Sequence, residues 1–150
     1  MREVVVGRIV KLPPRDRIPD DPIVHGQVRG DPYDHPFVIK SVENGTATGF
    51  VGTSFGTTAI KEKWSHEADA VLRRRYLLTA HRDATPHDGL LVLKLAADGV
   101  QLAKRTYVKV DEVLTIELSN LRPLVHRNES QLCLDTASLK VVVSDHSCME

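Results

Sequence analysis

One stretch decides the fold of this chain: FVIKSVENGTATGFVGT, residues 37–53. Two apolar-rich segments, each long enough for a β-strand, flank the dipeptide Asn44-Gly45. Asn-Gly supplies the positive φ angles of a type I′ turn, whose twist matches that of two antiparallel strands, so the stretch predicts a β-hairpin. Gly49 and Gly52 fall within the second strand and predict a bulge or a place where another backbone or a ligand comes close.

Residues that can carry chemistry flank this stretch and fall together at the open end of the predicted hairpin. His35-Pro36 precedes the first strand, and Thr53-Ser54 ends the second. Because these are neighbouring ends of an antiparallel pair, an imidazole and two hydroxyls are expected to meet there, which suits chemistry on a phosphodiester. The alternative interpretation is that Pro36 only starts a strand, His35 is an exposed loop residue and the two hydroxyl residues form a turn.

The chain before the hairpin divides into two parts. Residues 3–12 are rich in valine and isoleucine and end at Pro13-Pro14, which predicts a first strand. Residues 15–35 contain five aspartates and three prolines with almost no apolar periodicity, which predicts a long loop. A loop of this length in a small domain is usually functional or disordered.

A helix is predicted after the hairpin, capped by Thr57 or Thr58. Its apolar residues recur at helical spacing: Ile60, Trp64, Ala68 and Val71. This pattern makes Trp64 a core residue, the alternative being a tryptophan that stacks on a nucleobase. Three arginines, at positions 73–75, end the segment and either neutralise the end of the helix dipole or bind phosphate.

The second half of the chain predicts short strands and a final helix. Strands are expected at residues 76–79, 90–95, 107–110 and 113–118, the last two forming one bent strand or two short ones. Asp135 is expected to cap a helix from Thr136 to about Ser144, although three successive valines there make a strand the alternative. Five to seven strands with one or two helices indicate a small, strongly bent antiparallel barrel or a pair of packed sheets.

Composition narrows the class of protein. A chain of 150 residues fits a single domain, residues 1–150, and its 41% hydrophobic and 27% charged residues are typical of soluble proteins. We expect a cytoplasmic protein without membrane contact, since the N-terminus turns polar too soon for a signal peptide. Cys133 and Cys148 are expected to be free thiols. Seven histidines without ligand spacing predict no metal, and a net charge of zero argues against coating of nucleic acid.

The order of these features resembles the PemK/MazF family of toxin endoribonucleases. Four segments carry the resemblance: the opening strand 5–12, His35-Pro36 with residues 37–39, Thr53-Ser54, and the late strand 110–116 followed by Ser119 and Leu121. The resemblance implies a mainly β fold, a small antiparallel SH3-like barrel with one or two helices, including a C-terminal helix. It also implies cleavage of single-stranded RNA in the cytoplasm, without a cofactor, by a homodimer that an antitoxin-like protein inhibits.

The same resemblance assigns roles to individual residues. In the family, an Arg before the Pro and a Thr or Ser at the next strand end form the catalytic pair, which correspond here to His35 and Thr53, with Ser54 a neighbouring candidate. An imidazole can move a proton but lacks the permanent charge and forked donors of Arg.

We therefore expect one of two outcomes at this position. In the first, His35 does acid-base work while a loop arginine supplies charge: Arg15, Arg17 or Arg29. In the second, the barrel only binds RNA. Arg73, Arg74 and Arg75 are further candidates for substrate contact. The rival from another class is a non-catalytic module that binds a protein or peptide through the long loop.

Overall fold

A computed structural model of the protein describes residues 6–14, 23–26, 34–55, 59–79, 81, 85–96, 102, 105–122, 124 and 132–148. Within these residues the fold is mainly antiparallel β-sheet with a C-terminal helix, which confirms the predicted fold class. The strands are β1 (Ile9–Lys11), β2 (Ile23–Gly26), β3 (Pro36–Glu43), β4 (Thr46–Thr53), β5 (Tyr76–Leu78), β6 (Tyr107–Lys109) and β7 (Leu114–Glu117). The helices are α1 (Ile60–Lys63), α2 (Ala70–Arg73) and α3 (Thr136–Cys148), with 3₁₀ turns at Glu67–Asp69 and Leu118–Asn120.

The predicted hairpin is confirmed as β3 and β4. Asn44 and Gly45 have φ angles of 50° and 79°, as a type I′ turn requires. The register shifts between Ile39 and Ser41, opposite Gly49, so the predicted irregularity lies at this glycine. A Cβ on Gly49 would collide with the carbonyl oxygen of Val38 and would lie 2.8 Å from Cζ of Phe37.

Strand β4 organises the sheet because it pairs with three other strands. One edge pairs with β3, while the other pairs with β7 at residues 46–49 and with β6 at residues 52 and 53. β5 continues the sheet beyond β6, β1 lies beyond β3, and β2 pairs with β7. Because β6 and β7 take different halves of one edge, the sheet bends along β4.

Both faces of the central strands are buried. On β3, Val38 contributes to one apolar cluster with Phe50, Val108 and Val142 of helix α3. Phe37 and Ile39 contribute to a second cluster on the opposite face, together with residues of β1 and β7. A third, smaller cluster joins helix α1 to strands β5 and β6. Because β3 and β4 supply residues to both of the larger clusters, this hairpin is the centre of the core. Burying one large apolar side chain stabilises the fold by about 1.5–3 kcal/mol.

The single long helix predicted after residue 57 is wrong. Helix α1 ends at Lys63, because the next residue, Trp64, has a φ of −131° and a ψ of 87°, which are not helical, and α2 begins at Ala70. Val71, predicted on the core face, is 69% exposed, whereas Trp64 is half-buried and packs in the third cluster. Trp64 and His66 turn their carbonyl oxygens toward the Arg73 side chain, and this tertiary contact outweighs the helical pattern.

Other predicted boundaries also change. The long loop contains β2, because Ile23 and its neighbours find a partner strand in β7, about ninety residues later. Residues 90–95 form isolated bridges at Leu93 and Leu95 rather than a strand. Of the two alternatives left open for residues 107–118, two short strands are confirmed, since β6 and β7 pair with different parts of β4.

The C-terminal helix is confirmed, and the alternative of a strand is wrong. The Asp135 carboxylate accepts the backbone N–H of Ser138 at 2.7 Å, which is an N-cap interaction. This hydrogen bond favours the charged carboxylate and lowers the pKa of Asp135. Val142 lies fully buried against the sheet, so packing of the helix offsets the low helical propensity of its valines.

Candidate functional site

His35 lies half-buried at the end of β4, just before β3. Its Nδ1 is 2.9 Å from the carbonyl oxygen of Gly52. Its own carbonyl accepts the N–H of Leu12 at 2.9 Å, which ties the residue to the end of β1. Since a carbonyl oxygen only accepts hydrogen bonds, Nδ1 carries the hydrogen, and Nε2 of the neutral ring then bears the lone pair.

Thr53 ends β4 and directly follows Gly52, whose carbonyl oxygen holds the imidazole. The last paired residues of the hairpin are Phe37 and Val51, and extending their register by two residues sets His35 opposite Thr53 on the same face. The Thr53 hydroxyl oxygen accepts the backbone N–H of Phe55 at 3.2 Å, so its own hydrogen is available for donation. Ser54 follows and is half-buried. The structure thus brings His35 and the two hydroxyl residues to neighbouring strand ends.

The three successive arginines predicted as candidates for substrate contact, Arg73, Arg74 and Arg75, differ in burial and in their partners. Arg73 is 5% exposed, and its Nε and Nη2 donate to the two oxygens of Asp88 at 3.0 and 2.9 Å. Its Nη1 donates to the carbonyl oxygens of Trp64 and His66 at 2.8 and 2.7 Å. The proposal that Arg73 contacts substrate is therefore corrected: its guanidinium is buried and holds the loop after α1.

The other candidate arginines have separate positions. Arg74 is exposed, and Nε of the half-buried Arg75 lies 3.5 Å from the Asp111 carboxylate. Arg15, Arg17 and Arg29 lie outside the described residues.

Sequence reasoning missed the buried charged group around Asp88. His87 is 4% exposed, with Nδ1 2.8 Å from the Asp88 carboxylate and Nε2 3.0 Å from the carbonyl oxygen of Tyr76. The hydrogen bonds from Arg73, aided by His87 and opposed by burial, hold the pKa of Asp88 well below its ordinary range. No local motif marks this group, because Arg73 and Asp88 are 15 residues apart.

The chain was also compared with known proteins. Neither a family model, nor a curated protein, nor a solved structure matches it.

Three further findings concern metal ligands, membrane-spanning helices and a free cysteine in the described part of the chain. In the part of the chain that the structure describes, no three His, Cys, Asp or Glu side chains converge as metal ligands. Within the same residues, no helix has the length and apolar character needed to cross a bilayer. Cys133 is a free thiol whose pKa is raised by burial.

Proposed function

We propose that this chain is a small β-domain that binds single-stranded RNA and cleaves it without metal, with His35 as the proton-transfer group. The observation that carries the proposal is the hydrogen bond from His35 Nδ1 to the Gly52 carbonyl. It fixes the tautomer and orientation of the ring and directs the basic nitrogen, Nε2, away from the strand. A general base requires this arrangement.

The reaction that fits is internal transesterification. Nε2 of His35 takes the proton of a ribose 2′-hydroxyl, and the 2′-oxygen forms a bond to the adjacent phosphorus. The bond from phosphorus to the 5′-oxygen breaks, and this oxygen leaves with a proton supplied by water or by the imidazolium. The products are a 2′,3′-cyclic phosphate and a 5′-hydroxyl, so the step needs neither metal nor cofactor.

The hydroxyls of Thr53 and Ser54 are assigned to the phosphate. Because the Thr53 oxygen already accepts the Phe55 N–H, its hydroxyl hydrogen can donate to a phosphoryl oxygen. A positive charge is also needed as negative charge develops, and Arg15, Arg17 and Arg29, which lie outside the described residues, are the candidates.

Assembly and location belong to the same proposal. We expect a symmetric homodimer, the commonest soluble assembly, in the cytoplasm, where an antitoxin-like protein restrains the activity. Light scattering on a chain of 16.7 kDa separates a monomer from a dimer.

A second candidate function is a non-catalytic module that binds a protein or peptide. The observation that favours it is the pairing of cations with carboxylates: Lys11 with Asp34 at 2.9 Å and Lys109 with Glu112 at 2.7 Å. Paired lysines offer less charge to a polyanion than free ones do.

A cleavage assay decides between the two candidates. Purified protein is incubated with a mixed-sequence RNA in chelator, and the products are tested for a 2′,3′-cyclic phosphate. We expect His35→Ala to lower the rate by about 10²- to 10⁴-fold, the usual value of a general acid or base. His66→Ala is the matched control, because this histidine is exposed and the hydrogen bonds that it makes with described residues use its backbone carbonyl, which the substitution keeps.

The variant His35→Arg tests the role of the side chain. It abolishes cleavage if the position moves a proton and preserves cleavage if the position mainly holds phosphate. If the wild-type protein leaves RNA intact between about pH 5 and 9, with and without divalent metal, the proposal of RNA cleavage is refuted and the non-catalytic binding module is favoured.

A further inference from the structure

Four aromatic rings cluster beside the end of β4. Phe55 lies 5.2 Å from Trp64, 5.2 Å from Tyr76 and 5.4 Å from Tyr107, measured between ring centroids. Tyr76 and Tyr107 are buried, whereas Phe55 and Trp64 are half-buried. The latter two therefore form the outer layer of the cluster, and Phe55 lies two residues after Thr53.

A lysine covers this outer layer. Nζ of Lys63 lies 5.2 Å from the centroid of the Phe55 ring and 5.3 Å from that of Trp64. The side chain is exposed, and cation–π contacts at exposed sites are weak. A flat ligand can therefore replace the ammonium on the rings while the ammonium moves to a nearby anion.

The backbone at Phe55 is strained. Its φ of 51° lies in the left-handed region, which a bulky aromatic residue rarely adopts. The hydrogen bond from its N–H to the Thr53 hydroxyl oxygen supports this conformation and couples the ring to the candidate site. Strained residues of this kind persist where the surroundings fix them, and they concentrate at ligand sites.

The Trp64 side of the cluster is also fixed in advance. Arg73 binds the carbonyl oxygens of Trp64 and His66, and Asp88 holds the guanidinium with two hydrogen bonds. A surface that is rigid before binding loses less conformational entropy when a ligand arrives. The buried ion pair between Arg73 and Asp88 thus fixes the position of the Trp64 backbone and helps to orient the outer aromatic pair.

We propose that Phe55 and Trp64 form a stacking surface for one base of single-stranded RNA and that Lys63 binds the adjoining phosphate. This inference rests on the proposed function and adds to it a contact that tolerates any base, since every base has a π face. The combination of ring faces with a movable cation matches a nucleotide, which presents a flat ring next to a negative charge. A neutral peptide side chain offers no partner for the ammonium.

The test uses the fluorescence of Trp64, which is the only tryptophan of the chain. The full-length protein is titrated with a short 2′-O-methyl RNA of mixed sequence, which cannot undergo attack by a 2′-hydroxyl. We expect saturable quenching, and we expect an abasic strand of the same length to bind more weakly without quenching.

Three variants complete the test. Trp64→Leu removes the π face and should weaken binding by about 5- to 150-fold, while Trp64→Phe should retain most of the affinity. Val71→Ala is the matched control, because this exposed residue lies in the same segment outside the aromatic cluster. Lys63→Gln, which leaves the core untouched, should weaken binding and reduce its salt dependence.

The outcomes separate this inference from the proposed function. RNA that binds tightly without quenching, and equally to wild type, Trp64→Leu and Lys63→Gln, overturns the stacking surface and leaves the proposed function standing. An absence of RNA binding by the wild type overturns both. If thermal melting shows that Trp64→Leu does not fold, two measurements decide: the quenching of wild-type fluorescence by RNA and the affinity of Lys63→Gln. Quenching together with weaker binding by Lys63→Gln supports the stacking surface, and the absence of both overturns it.

Discussion

The substitution Gly49→Ala should destabilise the fold more than any other glycine change within β4. A Cβ at this position meets the Val38 carbonyl oxygen, which is backbone, and comes within 2.8 Å of the fully buried Phe37 ring. Neither group can move freely, because β3 is held on its other side by β1. Overpacking of a core typically costs about 1–3 kcal/mol, and displacement of paired backbone places this case at or above the upper end.

Two other glycines provide the scale. At Gly52 a Cβ would lie 2.9 Å from a methyl group of Thr106 and 3.4 Å from Cβ of Pro36, so Gly52→Ala should cost about 1 kcal/mol. Gly45 has open space around it and a φ of 79°, which asparagine tolerates, so Gly45→Asn should stay within about 0.5 kcal/mol.

Urea unfolding, followed by circular dichroism, measures all three variants. The expected order of destabilisation is Gly49→Ala, then Gly52→Ala, then Gly45→Asn, with similar dependence on urea concentration. A Gly49→Ala protein that loses less than about 1 kcal/mol contradicts the steric argument and implies that β3 and β4 can separate at the bulge.

Two predictions concern pH. The pKa of Asp88 is lowered in the folded state, chiefly by its hydrogen bonds from Arg73, so its contribution is present above the ordinary carboxyl pKa of about 4 and is lost as pH falls further. The difference in unfolding free energy between wild type and Asp88→Asn should therefore shrink on acidification, and a constant difference refutes this linkage. Burial raises the pKa of Tyr76 to about 12, so the folded state keeps a proton that the unfolded state releases near pH 10. The free energy of unfolding should therefore fall as pH rises from about 10 to about 12, and it should fall less steeply in Tyr76→Phe. Thermal melting of both proteins across this pH range measures the difference.

Local chemistry explains what the sequence could predict. The hairpin followed from Asn44-Gly45 and two apolar segments, and the neighbouring positions of His35 and Thr53 followed from the hairpin alone. The capped helix at Asp135 was equally local. These features need only the residues next to them in the chain.

Contacts between distant residues explain what it could not. The burial of Arg73 depends on its ion pair with Asp88, which the sequence of three successive arginines does not reveal. The break in the helix at Trp64 depends in turn on Arg73, which binds the Trp64 carbonyl. The helical spacing of apolar residues therefore predicted one helix where the chain forms two short helices and a connecting segment. The short strand β2 exists because β7 offers it a partner, and its own sequence lacks the alternation of a strand.

The shared edge of β4 has a consequence for folding during synthesis. The hairpin can close within microseconds once residue 53 is available, but β7 follows much later in the chain. The side chains of Thr48 and Thr115, which bond across this edge at 2.8 Å, are 67 residues apart. At about 5–20 residues per second, a ribosome needs roughly 3 to 13 s to make that length. For this interval β4, one of the two longest strands of the sheet, is an open edge with apolar faces, so the nascent chain should depend on chaperones more than the finished fold does.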